Sequence, residues 1–274
     1  MGDVNFKILG ERSFEEMNLP ETLYKYRDWA NSFHKTILTE NSVYMASPAA
    51  FEDQYDCQLP IRYDLLTDSQ IMNHYFKQSQ ERNKNATWKE HIEFATYWTE
   101  KGLLKDINRI NEHHKKFFES FNKAYGVLSL TAIPDNMEMW EKYSNNHQGF
   151  CVGFNTIPLF NYTQHFGGGG EVSYSDELPI IMPFEPLEKQ YHLQVYSKLR
   201  KYEFEKEYRL TKFNVVERCT KIPEYTYKEI ILGAKISDIH KSEIINVAKE
   251  KFNNELIIFQ ASIIGNKIRF DILE

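Results

Sequence analysis

The chain has 274 residues, with 33 Lys and Arg against 39 Asp and Glu, giving a net charge of −6. That balance excludes a polybasic nucleic-acid clamp spread over the whole surface. A 42% hydrophobic and 15% aromatic content excludes a disordered chain, which lacks the apolar area to offset its ordering entropy. Three widely spaced cysteines (Cys57, Cys151, Cys219) argue against a disulfide-stapled secreted fold and for a reducing compartment. The first twenty residues carry acids early and no secretory apolar core, and no run reaches the roughly 18 apolar residues of a membrane span. Phe6 stands where a myristoylation signal wants Ser or Thr. The expectation is a cytoplasmic protein of bacterial type with no membrane partner.

In chain order, TLYKYRD from Thr22 mixes aromatic and β-forming residues and reads as a strand. Asp28 then caps a helix on which Trp29, Phe33 and Ile37 recur every four residues, and NSVYMAS reads as a second strand ended by Pro48. Between about 65 and 125 the spacing turns helical. Leu66, Ile71, Tyr75 and Phe76 mark one face, and Leu103, Ile107, Ile110, Phe117 and Phe121 another, so the stretch reads as an insert of two or three helices. Strand runs return at 127–131, 150–154 and 171–175, with a short helix at Met137–Tyr143 between the first two. Residues 186–202 read as helix and 207–213 as strand. The end, 228–274, reads as strand, a helix capped near Ser237 or Asp238, strand 255–260, and a last strand KIRFDI. The whole, 1–274, is predicted to be one α+β domain, a mixed sheet with a helical insertion.

Several chemistries have no motif here. There is no GxxxxGK[ST], GxSxG or HExxH. Gly167–Gly170 lacks the Lys and hydroxyl of a phosphate loop and reads as a turn. His147 and Cys151 have no second His/Cys pair near them, so no metal site is predicted. His113-His114-Lys115-Lys116 reads as a solvated helix face.

Four constellations are denser. In Tyr24–Asp28 strand alternation sets Lys25 and Arg27 on one face, opposite Tyr24 and Tyr26. The Arg fork suits phosphate or carboxylate, while a solvated edge strand is the plainer reading. Tyr44 and Ser47 end a strand at a Ser-Pro turn, where the Ser47 hydroxyl can cap, and Asp53 and Asp56 follow. Glu203, Glu205 and Glu207 alternate along an expected extended segment and repel one another, which raises a carboxyl pKa. Lys198, Arg200, Lys206 and Arg209 are equally placed to turn them into a structural ion-pair lattice. Finally Ser129-Leu130-Thr131 precedes a helix on which Trp140 and Tyr143 lie three apart, a pattern that core packing explains.

The order LYKYRD, SPAAFEDQYDC, LSLTAIPDNMEMWEKYSNNHQGFCVGF, VSYSDELP, KLRKYEFEKEYRL and EIILGAKIS resembles the bacterial family of unknown function DUF2971, over about Leu23 to Ser237. This chain has Glu52–Asp56 where that family usually shows Asn-Asp-Pro-Phe-Asp, and Tyr202 where it usually shows Trp. The family supplies no activity. In layout the chain is similar to ADP-ribosyltransferases, which carry an Arg or His on the first strand, a Ser or Tyr on a following strand, and a late Glu, often in a Glu-x-Glu pair. That similarity implies NAD as a substrate rather than a bound cofactor, an unidentified macromolecular acceptor, and a defence or toxin setting. Arg27 would clamp the pyrophosphate, Ser47 would support the nicotinamide ribose, and Tyr26 or Tyr44 would stack on the nicotinamide. Glu207 would stabilise the oxocarbenium-like transition state and Glu205 would orient the acceptor. Two other readings stand beside it: a non-catalytic ligand- or partner-binding module, and a Mg²⁺-dependent nuclease or hydrolase built on Asp53, Asp56, Glu205 and Glu207. The last ranks third, because no nuclease lysine motif is evident.

Overall fold

The computed structural model describes residues 19–162, 167–252 and 256–273. The chain opens with β1 (Thr22–Arg27), α1 (Ser32–Thr39) and β2 (Ser42–Tyr44). The insert consists of α2 (Asp68–Arg82), α3 (Trp88–Glu100) and α4 (Ile107–Ala124). Then follow β3 (Tyr125–Thr131), α5 (Met137–Tyr143), β4 (Phe150–Asn155), α6 (Thr156–Asn161), β5 (Gly168–Glu171) and β6 (Ser173–Ser175). The remainder is α7 (Leu187–Tyr196), β7 (Ser197–Leu199), β8 (Glu207–Phe213), β9 (Cys219–Lys221), β10 (Tyr227–Leu232), α8 (Asp238–Phe252), β11 (Ile257–Ile264) and β12 (Lys267–Ile272). The class is α+β. Among the described residues no helix is long and apolar enough to cross a membrane.

Local sequence sets the helix ends. Thr67 with Gln70 and Thr87 with Glu90 form reciprocal capping boxes at α2 and α3. Asn136 accepts from Met139 N to start α5, and Ser237 accepts from His240 N at the start of α8. Eight strands form the main sheet in the order β12-β11-β10-β4-β1-β3-β8-β5. Within this sheet, among the described residues, only β10 and β11, joined through α8, run parallel. Strand β4 lies at the centre and is apolar on both faces, as a sheet covered twice requires. One face buries Leu23, Phe150, Val152 and Phe154 with Trp29, Ile37 and Ile244; the other buries Tyr26, Cys151 and Ile231 beneath Trp140.

One irregularity in the sheet positions the site. Strand β1 pairs with β4 at every position from Thr22↔Asn155 to Arg27↔Phe150, yet meets β3 only at Tyr24↔Thr131. Beyond that point the two strands part, and the Lys25 ammonium spans the gap by donating to Ser129 O at 2.5 Å. The gap is the mouth of a cleft. At its far end β1 is held by close backbone approach: a Cβ on Gly149 would lie 2.1 Å from Arg27 O. Gly149→Ala is therefore expected to lower stability by about 3 kcal/mol, the upper end for overpacking, as read by denaturant midpoint.

Some boundaries differ from expectation, each for a tertiary reason. Asp28 does not cap α1. Asn31 does, through Phe33 N, while Asp28 accepts from Ala30 N. Trp29 thus precedes the helix, and Phe33 is 84% exposed instead of sharing a face with Trp29 and Ile37. Gly168–Gly170 belong to an edge strand rather than a turn; at Gly169 a Cβ would press on Leu210 and Phe160, so a small residue lets β5 close against β8. The stretch read as 171–175 splits between β5 and β6. Helix α7 stops at Tyr196, because the chain must turn extended to pair β7 with β6.

Candidate active site

The cleft encloses about 240 Å³. Lys25 and Arg27 of β1 stand on one side, with Ser129 and Thr131 of β3 beside them, while Tyr143, Lys198, Glu205 and Glu207 form the opposite wall. A short 3-10 turn, Arg200–Glu205, precedes β8 and is closed by Lys206 in the left-handed region (φ 41°). This reversal breaks the alternation expected of the three glutamates. Glu203 points outward to Arg200 and Lys206, whereas Glu205 and Glu207 both turn inward and are buried. Thr131 Oγ1 donates to Glu205 O at 2.6 Å and Asn136 Nδ2 to Phe204 O at 2.8 Å, fixing the turn to the sheet.

Behind this wall lies a buried ion lattice. Arg209 donates through Nε to Glu207 Oε1 at 2.8 Å and through Nη2 to Glu207 Oε2 at 2.9 Å. It also grips Asp56 with both terminal nitrogens at 2.8 Å, and Nη1 donates to Val195 O. The Lys198 ammonium lies 2.5 Å from Glu205, 3.1 Å from Glu207 and 3.5 Å from Asp56. Tyr143 donates its hydroxyl to Glu205 Oε1 at 3.0 Å. Three carboxylates against two cations leave one net negative charge facing the cleft. Burial alone would push the Glu207 carboxyl up, but Arg209 and Lys198 outweigh it and hold it down at about 2. The expectation of a raised carboxyl pKa in this cluster is therefore reversed at Glu207.

Because the folded Glu207 pKa lies below its ordinary 4.5, its contribution is complete above that value and is lost as pH falls from about 4.5 towards 2. Circular dichroism melts between pH 6 and pH 2.5 are expected to show a stability decline that is shallower in Glu207→Gln.

The opposite side is unlike this. Among the described residues no carboxylate lies within ion-pair reach of Lys25 or Arg27. Lys25 donates to Ser129 O, and Arg27 Nη1 reaches only Tyr26 O at 3.4 Å. Burial lowers the Arg27 guanidinium to about 10. Burial, and secondarily the neighbouring Arg27, lowers the Lys25 ammonium to about 7, against a partial upward pull from Glu207 and Glu205. Two desolvated cations with no carboxylate in ion-pair reach among the described residues are costly, and an anionic ligand would remove that cost.

A family model described as "Protein of unknown function (DUF2971)" matches residues 139–229. Over that stretch the chain is similar to the DUF2971 family. Comparison with curated proteins and with solved structures gave no match. The matched stretch covers about a third of the chain and carries the wall of Tyr143, Lys198, Glu205, Glu207 and Arg209; Lys25 and Arg27 lie outside it.

The residues singled out in the sequence divide into those the fold brings together and those it separates. Arg27, Asp53, Asp56, Tyr143, Glu205 and Glu207 meet at the cleft, and Arg209 stands directly behind it. Tyr26 borders the cleft, but its ring lies edge-on against Trp140 (centroids 5.1 Å apart, 89°) and its hydroxyl donates to Ile133 O. Trp140 is core, with Nε1 donating to Pro134 O. Asp53 accepts from Tyr55 N within its own loop. Tyr44 and Ser47 are elsewhere. Strand β2 pairs with β9 in a separate ribbon, leaving Tyr44 half exposed, and Ser47 Oγ donates to Asn122 O at 2.8 Å. Sequence reading passed over Lys25, Ser129, Thr131 and Lys198 as site residues. The alternation of Ser129 and Thr131 on a strand was the available signal, since it sets both on one face. The lysines carried none, because lysine in a strand is ordinarily a solvated edge.

Proposed function

We propose that this cleft receives the pyrophosphate of a dinucleotide such as NAD on Arg27 and Lys25 and directs the Glu205–Glu207 pair at its N-glycosidic bond. The chemistry is ADP-ribosyltransferase-like, aimed at a macromolecular acceptor. The observation that carries this reading is the polarity of a single cleft: two half-buried cations, with no carboxylate partner among the described residues, face a carboxylate wall with one net negative charge. The middle position of the layout falls to Ser129 and Thr131, on the strand between Arg27 and Glu207, rather than to Ser47.

In this mechanism the Arg27 fork makes paired charge-assisted bonds to phosphate oxygens. Glu207, kept ionised and oriented by Arg209, stabilises positive charge developing on the ribose as the glycosidic bond breaks. A preorganised charge needs no reorganisation at that moment. Glu205, held by Tyr143, orients the incoming acceptor. Asp56, Glu205 and Glu207 are already engaged in ion pairs with Lys198 and Arg209, which favours this reading over a Mg²⁺-dependent hydrolase. One observation favours the non-catalytic ligand-binding reading: Arg209 occupies both oxygens of Glu207.

The test is label transfer from NAD labelled in its adenylate, in the presence of cell extract, DNA and RNA, with Glu207→Gln and Arg27→Gln as controls. Covalent label on a macromolecule with the wild type only is the expected result. Neither label nor NAD loss across a range of extracts overturns the enzyme reading. Saturable NAD binding without consumption then selects the binding module.

A further inference from the structure

We propose that Lys25 is a reactive amine that condenses with the carbonyl group of a phosphate-bearing aldehyde held on Arg27. The proposal rests on the reading that Arg27 takes a phosphate, and is independent of any glycosidic chemistry. Three lysines line the described cleft, Lys25, Lys142 and Lys198. Lys198 is surrounded by three carboxylates, and Lys142 pairs with Glu52 at 2.9 Å. Each of those ammonium groups is held charged, and a charged amine has no lone pair to offer. Lys25 differs in kind. It emerges from a strand interior, has no carboxylate partner among the described residues, and stands two residues from the Arg27 guanidinium on the same strand face. Glu205 and Glu207 act on it only as more distant charges, and Ser129 O accepts one of its protons.

Desolvation beside a second cation is the arrangement that keeps an amine neutral near physiological pH, as imine-forming lysines require. The lowered Lys25 pKa agrees with it. Arg27 supplies what the amine lacks, a grip on a phosphate that would bring the carbonyl carbon alongside. In the step, the Lys25 nitrogen lone pair forms a bond to the carbonyl carbon. Both amine hydrogens leave with the carbonyl oxygen as water, and the product is an imine. No oxidant or reductant is consumed.

The test treats the folded full chain with limiting pyridoxal 5′-phosphate, followed by borohydride. Borohydride delivers hydride to the imine carbon while solvent protonates the nitrogen, leaving a stable secondary amine that mass spectrometry can map. Lys25 is expected to carry most of the label, with Lys142 and Lys198 unlabelled. Pyridoxal without its phosphate, and Arg27→Gln with the phosphorylated reagent, are each expected to label Lys25 at least about tenfold less, the loss of a charge-assisted contact. Lys25→Arg, which keeps the charge, is expected to remove the label from that position. Label spread over surface lysines with Lys25 unfavoured overturns the proposal. If Lys25 stays unlabelled while ADP-ribose binding remains Arg27-dependent, only the amine is refuted. Equal labelling by both reagents, unchanged in Arg27→Gln, refutes the phosphate grip on which the proposal rests.

Discussion

Arg209→Met is expected to cost about 3–5 kcal/mol, because it strands Asp56 and Glu207 as buried charges with a single shared cation, Lys198. For a chain of this size that corresponds to a melting temperature lower by roughly 10 °C. The guanidinium is fully buried, binds two carboxylates and a backbone carbonyl, and lies against the Phe51 ring at 5.3 Å, so no water can replace it cheaply. Adding Asp56→Asn and Glu207→Gln to Arg209→Met removes the stranded charges and is expected to recover part of the loss. Thermal melts of the single and triple variants check both statements. A single variant that melts with the wild type would show the lattice to be dispensable for stability.

Arg27→Gln is expected to behave in the opposite way. Affinity for ADP-ribose, measured by calorimetry, should fall by about 10- to 100-fold, since hydrogen bonds to a charged group contribute about 1.5–3 kcal/mol. The melting temperature of the free protein should stay level or rise, because the substitution removes a desolvated cation that has no counter-ion among the described residues. The pairing of those two signs is the signature of a group held in place for a ligand. Unchanged affinity with a lower melting temperature would identify Arg27 as structural. Between them the two variants separate two roles: Arg209 as a member of the buried ion lattice, and Arg27 as the proposed grip for an anion.

The elements bordering the cleft were largely readable from local pattern. Thr22–Arg27 alternates as a strand, Met137–Tyr143 has helical spacing behind an Asn cap, and Glu207–Phe213 alternates again. The resemblance carried by the motif order agrees with the family match. The glutamates show where local pattern stopped. Glu203, Glu205 and Glu207 look equivalent in sequence, yet a left-handed Lys206 sends the first outward and the other two inward. That turn is held by Thr131 and Asn136, more than 60 residues away. Ser47 and Tyr44 were displaced for a related reason, since β2 found its partner in β9 and not in the main sheet.

The sequence by itself therefore determined the α+β class, the helical insert and the family resemblance, because each depends on side-chain periodicity or on residue order along the chain. The pairing of charges was decided only by tertiary structure. Asp56 and Arg209 are 153 residues apart, and no local rule tells a solvated cation from a buried one. Whether Arg27 has a carboxylate beside it depends on how β1 and β3 part after Tyr24↔Thr131, a property of the whole sheet. Desolvation, which makes a cation without such a partner costly, exists only once the core has closed around it.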